Sequence, residues 1–224
     1  MTNKVQQLTG RFISLEGGEG AGKSTQIVAM KNYIECKGKK VLLTREPGGS
    51  GGAEELRELL VSGEANRWDP ISETLIIYAA RRDHWIKKIK PALEDGLWVI
   101  TDRFSDSTIV YQGYGKGVNQ VLIRNLHLLT LGDVYPDLTL ILDLPAQTGL
   151  KRGLSRDQET KTNNTRFENM KLSFHNRVRN GFKEIASKYP NRVHSLNAEK
   201  PIEEVTKDIN DILSRAFNKE LNIV

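Results

Sequence analysis

The stretch "FISLEGGEGAGKSTQ" (12–26) carries the plainest chemistry in the chain. Its centre, "GGEGAGKS" (17–24), has the spacing G-x-x-x-x-G-K-[S/T] between an apolar run and a helical pattern. That context matters more than the match, because backbone N–H groups and a helix N-terminus together bind phosphate oxygens. Gly20 and Gly22 let the backbone come close to such a ligand, and Lys23 would neutralise β- and γ-phosphates. The Ser24 hydroxyl would ligate Mg²⁺. The expected nucleoside-triphosphate site is therefore the run Gly17, Gly18, Glu19, Gly20, Ala21, Gly22, Lys23, Ser24 and Thr25. Glu19 is out of character, since a carboxylate inside a polyphosphate cradle repels its ligand.

A cradle alone does not separate kinases from switches or motors, though the N-K-x-D element of guanine-specific proteins is absent. Other polar groups must decide. Arg45 lies in "TREPGG", Arg81 in "YAARRD", and "DRFSDSTIVYQG" (102–113) supplies Asp102, Arg103, Ser107 and Gln112. A lone arginine is usually a solubilising charge. Arginines just beyond strand ends, facing a phosphate cradle, suit a second anion held in line with the γ-phosphate.

The elements that would position these groups alternate between strand and helix patterns. Strands are expected at "FISL" (12–15), "VLLT" (41–44), "LWVITD" (97–102), "LTLILD" (138–143) and, more weakly, "RVHSL" (192–196). A helix from Lys23 to about Lys37 should stop at Gly38, and "AEELRELL" and "VLIRNLHLLTL" are further helices. The stretch "SETLIIYAARRDHWIKKIKPALEDG" reads as one long helix capped by Ser72, with Leu75, Ile76, Ala79, Ile86 and Ile89 as its apolar face. A final helix covers "PIEEVTKDINDILSRAF", and the polar run 155–166 reads as a mobile loop. The expected fold is α/β, a three-layer α/β/α arrangement of the P-loop NTPase type around a five-stranded parallel sheet. Ligands on such sheets bind beyond the carboxyl ends of the strands, which gathers the groups above into one crevice.

Bulk properties narrow the class. A chain of 224 residues, 38% hydrophobic and 27% charged, suits one globular domain. No run approaches the roughly 18 apolar residues of a membrane span, and the first residues lack the apolar core of a secretory signal. One cysteine, Cys36, excludes an internal disulfide framework, and the setting is expected to be cytoplasmic. His84, His127, His175 and His194 are scattered without metal-ligand spacing. The net charge of +5 is dispersed, and no nucleic-acid partner is expected.

Taken in order, "LEGGEGAGKST", "TREPGG", "YAAR", "DR…S…YQG", "PDLTL.LD" and "GLKR" resemble the thymidylate kinase family from about residue 11 to 215. The resemblance implies ATP and Mg²⁺, a dTMP acceptor and a homodimer. It implies that Glu19 meets the acceptor sugar's 3′-hydroxyl, that Arg45 and Arg103 hold the acceptor phosphate, and that Arg81 reads the base edge. Ser107 and Gln112 match further acceptor positions. Asp102 sits where Mg²⁺ or its waters are ordered, or else fixes Arg103, and Asp143 is given no catalytic role. Where relatives stack a phenylalanine on the base, this chain has Ile77, which loses about 1 kcal/mol of aromatic stacking. Members with an acidic cradle supply arginines from a lid, which implies catalytic roles for Lys23, Arg103, Arg156 and Arg152. The whole chain, 1–224, is then one domain with phosphate loop 17–24, acceptor region about 45–113 and lid about 151–167. The rival readings are another nucleoside monophosphate kinase and an ATP-driven, nucleic-acid-associated ATPase.

Overall fold

The computed structural model describes residues 8–64, 67–160 and 170–221; in the helix ending at 160, the side chains of 154 and 156–160 are not among those described. Strands β1 (Phe12–Gly17), β2 (Val41–Arg45), β3 (Trp98–Asp102), β4 (Leu138–Asp143) and β5 (Val193–Asn197) form one parallel sheet in the order β2-β3-β1-β4-β5. All five expected strands are present, and their ends line up. Leu15 of β1 sits opposite both Asp102 of β3 and Leu140 of β4, so β1 and β3 deliver their last residues to the same edge.

The alternation of β1 sends its side chains to two layers. Ile13 and Leu15 join Ile100, Leu140 and Leu142 under helix α1 (Lys23–Cys36), where Ile27, Met30 and Ile34 complete the layer. Helices α2 (Gly51–Val61) and α3 (Pro70–His84) follow β2. A π-helical turn, Trp85–Ile89, links α3 to α4 (Lys90–Glu94). On the other face Phe12 packs with Trp85, Ile89, Val99 and Phe104. Each such buried side chain contributes roughly 1.5–3 kcal/mol of transfer free energy. Beyond β3 come α5 (Ser105–Thr108), a second π-helical stretch (Ile109–Gly115) and α6 (Gln120–Leu131). Helices α7 (Ala146–Thr160), α8 (Leu172–Lys188), α9 (Ile202–Ala216) and α10 (Asn218–Leu221) complete the fold. Among the described residues no helix is long and apolar enough to cross a membrane.

Three local expectations need correction. The long helix is capped by Asp69, whose side chain accepts from the N–H groups of Ile71 and Ser72, and Pro70 opens it. That helix is also interrupted. Pro91 has no N–H to continue the ladder, and the π-helical turn just before it shifts the phase. The expected apolar face holds only at Ile89, which is fully buried: Leu75, Ala79 and Ile86 are exposed and Ile76 half-buried, while Thr74, Tyr78, Arg81 and His84 point inward. Finally, residues 155–160 continue α7 rather than a loop; they include no glycine or proline to stop the helix. Residues 161–166 of that polar run lie outside the described residues.

Candidate active site

The cradle leaves the end of β1 and turns into α1 through two left-handed glycines. Gly22 caps α1 at φ 88°, and Gly20 sits at φ 63°. A methyl group on Gly20 would lie 2.2 Å from the Gly149 carbonyl oxygen, so this glycine seats the cradle beneath α7. The Nζ of Lys23 donates to the Gly18 carbonyl at 3.1 Å and reaches that of Gly17 at 3.5 Å. Burial, and then the Arg103 guanidinium, push its pKa down; Asp102, Glu19 and Glu16 counter this. Ser24 and Thr25 are exposed on the first turn of α1.

Above the cradle lies a cavity of about 340 Å³ lined by residues 19–25 together with Arg45, Arg57, Asp102, Arg103 and Arg152. A second cavity, about 270 Å³, opens beside it toward α3 and the π-helical stretch. The two share Glu19, Glu46, Arg57 and Arg103 as common walls. Ser107, Ile77, Arg81 and Gln112 line the second cavity, with Leu60, Pro47 and Tyr111. Ser107 and Tyr111, and likewise Thr108 and Gln112, are four residues apart, which places them on one face of the winding chain and makes this side of the pocket.

Arg81 is buried and held from several sides. Its Nε donates to Glu46 Oε2 at 2.6 Å and one amino group donates to the Phe104 carbonyl at 3.1 Å. The guanidinium also lies over the rings of Tyr78 and Phe104, 5.0 and 5.3 Å from their centroids. The remaining amino nitrogen, NH1, is buried without a hydrogen-bond partner. It is a planar donor held ready at the wall of the second cavity. Glu46 is fixed in turn by His84, whose other ring nitrogen is 2.7 Å from the Thr44 hydroxyl.

Arg103 occupies a left-handed backbone conformation, φ 70°, which costs a non-glycine residue on the order of 1 kcal/mol. That conformation sends its side chain back over the cradle, where NH1 donates to the Gly17 carbonyl at 2.9 Å and to Ser107 Oγ at 3.2 Å. Its donors therefore go elsewhere than Asp102. Asp102 Oδ1 is buried without a hydrogen-bond partner, and Ser24 lines the same cavity. A carboxylate and a hydroxyl beside a phosphate cradle suit a small oxygen-seeking cation such as Mg²⁺. Among the described residues no group of three or more His, Cys, Asp or Glu is arranged to hold a metal by itself. Arg45 is exposed and paired with Glu54 at 2.9 Å. Asp143 is held by the bidentate Arg179 at 2.6 and 2.9 Å, which accounts for it as a tie between β4 and α8.

Four site groups were not anticipated from the sequence. Arg57 of α2 stands between the two cavities and donates to the Pro47 carbonyl at 2.9 Å. It lies within an ordinary amphipathic helix, three residues after Glu54, and nothing in the sequence sets it apart from that helix's other charges. Tyr111 and His175 line the acceptor-side cavity. Glu16 is fully buried and accepts from Ser14, Ser107 and the Phe104 N–H, 2.9 Å and 2.7 Å for the first and last. Burial, then Asp106, push its pKa up to about 7. The strand expected at 12–15 stops one residue short of Glu16, which β1 in fact includes.

Of the lid, Arg152 on α7 lines the cradle cavity and donates to the Ala198 carbonyl at 3.3 Å. Arg156 falls on the same helix, but its side chain is not among those described. Arg166 and residues 161–167 of the lid lie outside the described residues.

With this geometry in hand, the relatives can be stated. The thymidylate kinase family matches residues 15–209. A thymidylate kinase of Caulobacter vibrioides is 49% identical over 91% of this chain and 96% of its own length. One of Magnetococcus marinus is 46% identical over 90% of this chain and 94% of its own. A crystal structure of thymidylate kinase from Ehrlichia chaffeensis superposes with a TM-score of 0.72 at 39% identity, covering 91% of this chain and 98% of that one. A phosphate cradle, an adjoining cavity with a waiting arginine, and this breadth of likeness lead to one statement: the chain belongs to the thymidylate kinase family.

Proposed function

We propose that the chain transfers the γ-phosphoryl group of ATP to dTMP, with the triphosphate in the cradle and the monophosphate in the adjoining cavity. The observation that carries this reading is the shared wall. Glu19, Arg57 and Arg103 border both cavities, so two ligands bound side by side would meet with their phosphates at these residues. In-line meeting is most of what phosphoryl transfer asks of a protein.

Each group then has a part. The backbone of residues 17–25 and Lys23 bind the triphosphate. Arg45, Arg57 and Arg103 hold the acceptor phosphate, and Arg81 donates from its free NH1 to the base. Ile77 and Leu60 cover the base with aliphatic surface, while Ser107 and Gln112 complete the pocket. Glu19 faces the acceptor's sugar hydroxyl; its place in the wall of the second cavity supports that direction. Ser24 and Asp102 would hold Mg²⁺, which would supply positive charge beside the donor phosphates. No general base is assigned, since the attacking oxygen of a phosphate is already anionic. Arg152 and Arg156 bring positive charge from the lid side, and closure over the site would exclude water.

A homodimer belongs to the same reading. Ile71 and Leu75 of α3, with Val121, Leu128 and Leu129 of α6, leave an apolar strip exposed on two helices that pack together. A strip of this kind, with Leu129 82% exposed, suits a second copy of the chain.

The test of the reaction is ADP release from ATP across a panel of nucleoside monophosphates. Turnover strictly dependent on dTMP is expected. Equal or faster turnover with CMP or AMP would overturn the acceptor assignment, and stimulation by polynucleotide would favour an ATPase instead.

A further inference from the structure

A third cavity, about 520 Å³, lies on the far side of α3 and α5 from the acceptor pocket, between α6, α8 and the turn before β4. None of the residues assigned above lines it. Its size falls within the roughly 300–1,000 Å³ of small-molecule sites. Two of its lining residues carry buried polar atoms without partners, Ser105 Oγ and His127 Nδ1. The Nε2 of His127 lies 2.8 Å from the Val134 carbonyl and so carries the hydrogen, which leaves Nδ1 as a bare acceptor. The same imidazole stacks on Tyr135, with centroids 4.5 Å apart and planes 20° from parallel. Burial holds its pKa down at about 4, so this ring stays neutral at physiological pH. At the mouth Arg124 and Lys188 are exposed cations. The inner guanidinium, Arg192, is already committed to Asp106 at 2.7 and 3.0 Å.

We propose that this cavity binds a nucleotide at a site separate from catalysis, with the base against the His127–Tyr135 wall and the phosphate at Arg124 and Lys188. A flat heteroaromatic with an N–H edge satisfies His127 and Ser105 together, and an anionic group satisfies the mouth. The back wall couples the site to the acceptor pocket. Tyr78, which lines the cavity, carries Arg81 over its ring, and Ser105 and Asp106 lie between Arg103 and Ser107 in sequence. Occupancy would therefore change acceptor affinity.

The test uses isotopically labelled full-length protein saturated with dTMP and ADP, titrated with AMP, CMP, GMP and dTTP while amide resonances are followed. At least one nucleotide is expected to give a further saturable set of shifts centred on α6 and Tyr135. Arg124→Glu should weaken that binding about tenfold, the loss of one charge-assisted contact. Tyr135→Ala should weaken it as well. In wild-type protein at saturating ATP, the same nucleotide should shift KM for dTMP, and Arg124→Glu should abolish the shift. No further saturable binding at millimolar nucleotide, or binding that both variants leave intact, overturns the site. A KM shift that survives Arg124→Glu is competition at the catalytic cavities and overturns the coupling.

Discussion

At the scale of single residues, the site works through groups whose freedom has been removed. Arg81 illustrates this: its Nε and one amino group are committed to Glu46 and Phe104, and only NH1 is left for a ligand. Arg81→Lys keeps a cation beside Glu46 but loses the planar fork. KM for dTMP should then rise about tenfold or more with a smaller change in kcat, as steady-state kinetics would show. Equal KM values would mean that the base is read elsewhere. Glu16 gives a pH prediction. Its folded pKa of about 7 lies above the ordinary 4.5, so the folded chain keeps a proton that the unfolded chain has released across that window. The group therefore favours folding below the window, and its contribution is lost as pH rises through 7. The effect is on the order of 3 kcal/mol. Thermal melts of Glu16→Gln between about pH 5 and 8 should lose the part of the pH dependence in which the parent weakens toward alkaline pH. A parent slope unchanged by the variant would remove Glu16 as its source.

At the scale of elements, the sequence identified which segments form and misjudged how some are turned. The strands were legible because apolar, β-branched runs buried on both faces have few other solutions. The α3 helix was legible too, but its orientation was not. Apolar periodicity nominated Leu75, Ala79 and Ile86 as the inward face, while the fold turns Tyr78, Arg81 and His84 inward. Ion pairing with Glu46 and stacking on Phe104 compensate the burial of Arg81, a tertiary event that no helical period records. The π-helical stretch after α5 is a similar case, since no period in its sequence marks the change from α to π winding. Helix α7 holds the arginines proposed for the lid. Arg156→Ala should lower kcat by tenfold or more while KM for dTMP changes little, read in the same coupled ADP assay. An unchanged kcat would take Arg156 out of the transfer step.

At the scale of the whole molecule, the exposed strip on α3 and α6 is the surface proposed for a second copy of the chain. Leu129→Glu places a charge in that strip without touching either cavity. Sedimentation should find a dimer for the parent chain and a monomer for the variant. A monomeric parent would leave the strip without the partner proposed for it.

What the sequence determined by itself was the order of elements, the phosphate-cradle motif and several residues that line the two adjoining cavities. Arg45, Arg81, Arg103, Ser107 and Gln112 stand in short motifs whose local backbone already implies a crevice. Glycine spacing, strand ends and helix starts are local properties, so local reading finds them. Only the tertiary structure decided what lies between the motifs. Arg57 joins the site because α2 packs on α3, and Glu46 and His84 form a brace because the turn after β2 meets α3 across 38 residues of chain. Gly20 must be glycine because α7, well over a hundred residues later, packs its own backbone against the cradle. These contacts depend on where distant segments come to rest, and that is fixed by packing of the whole core rather than by any pattern along the chain.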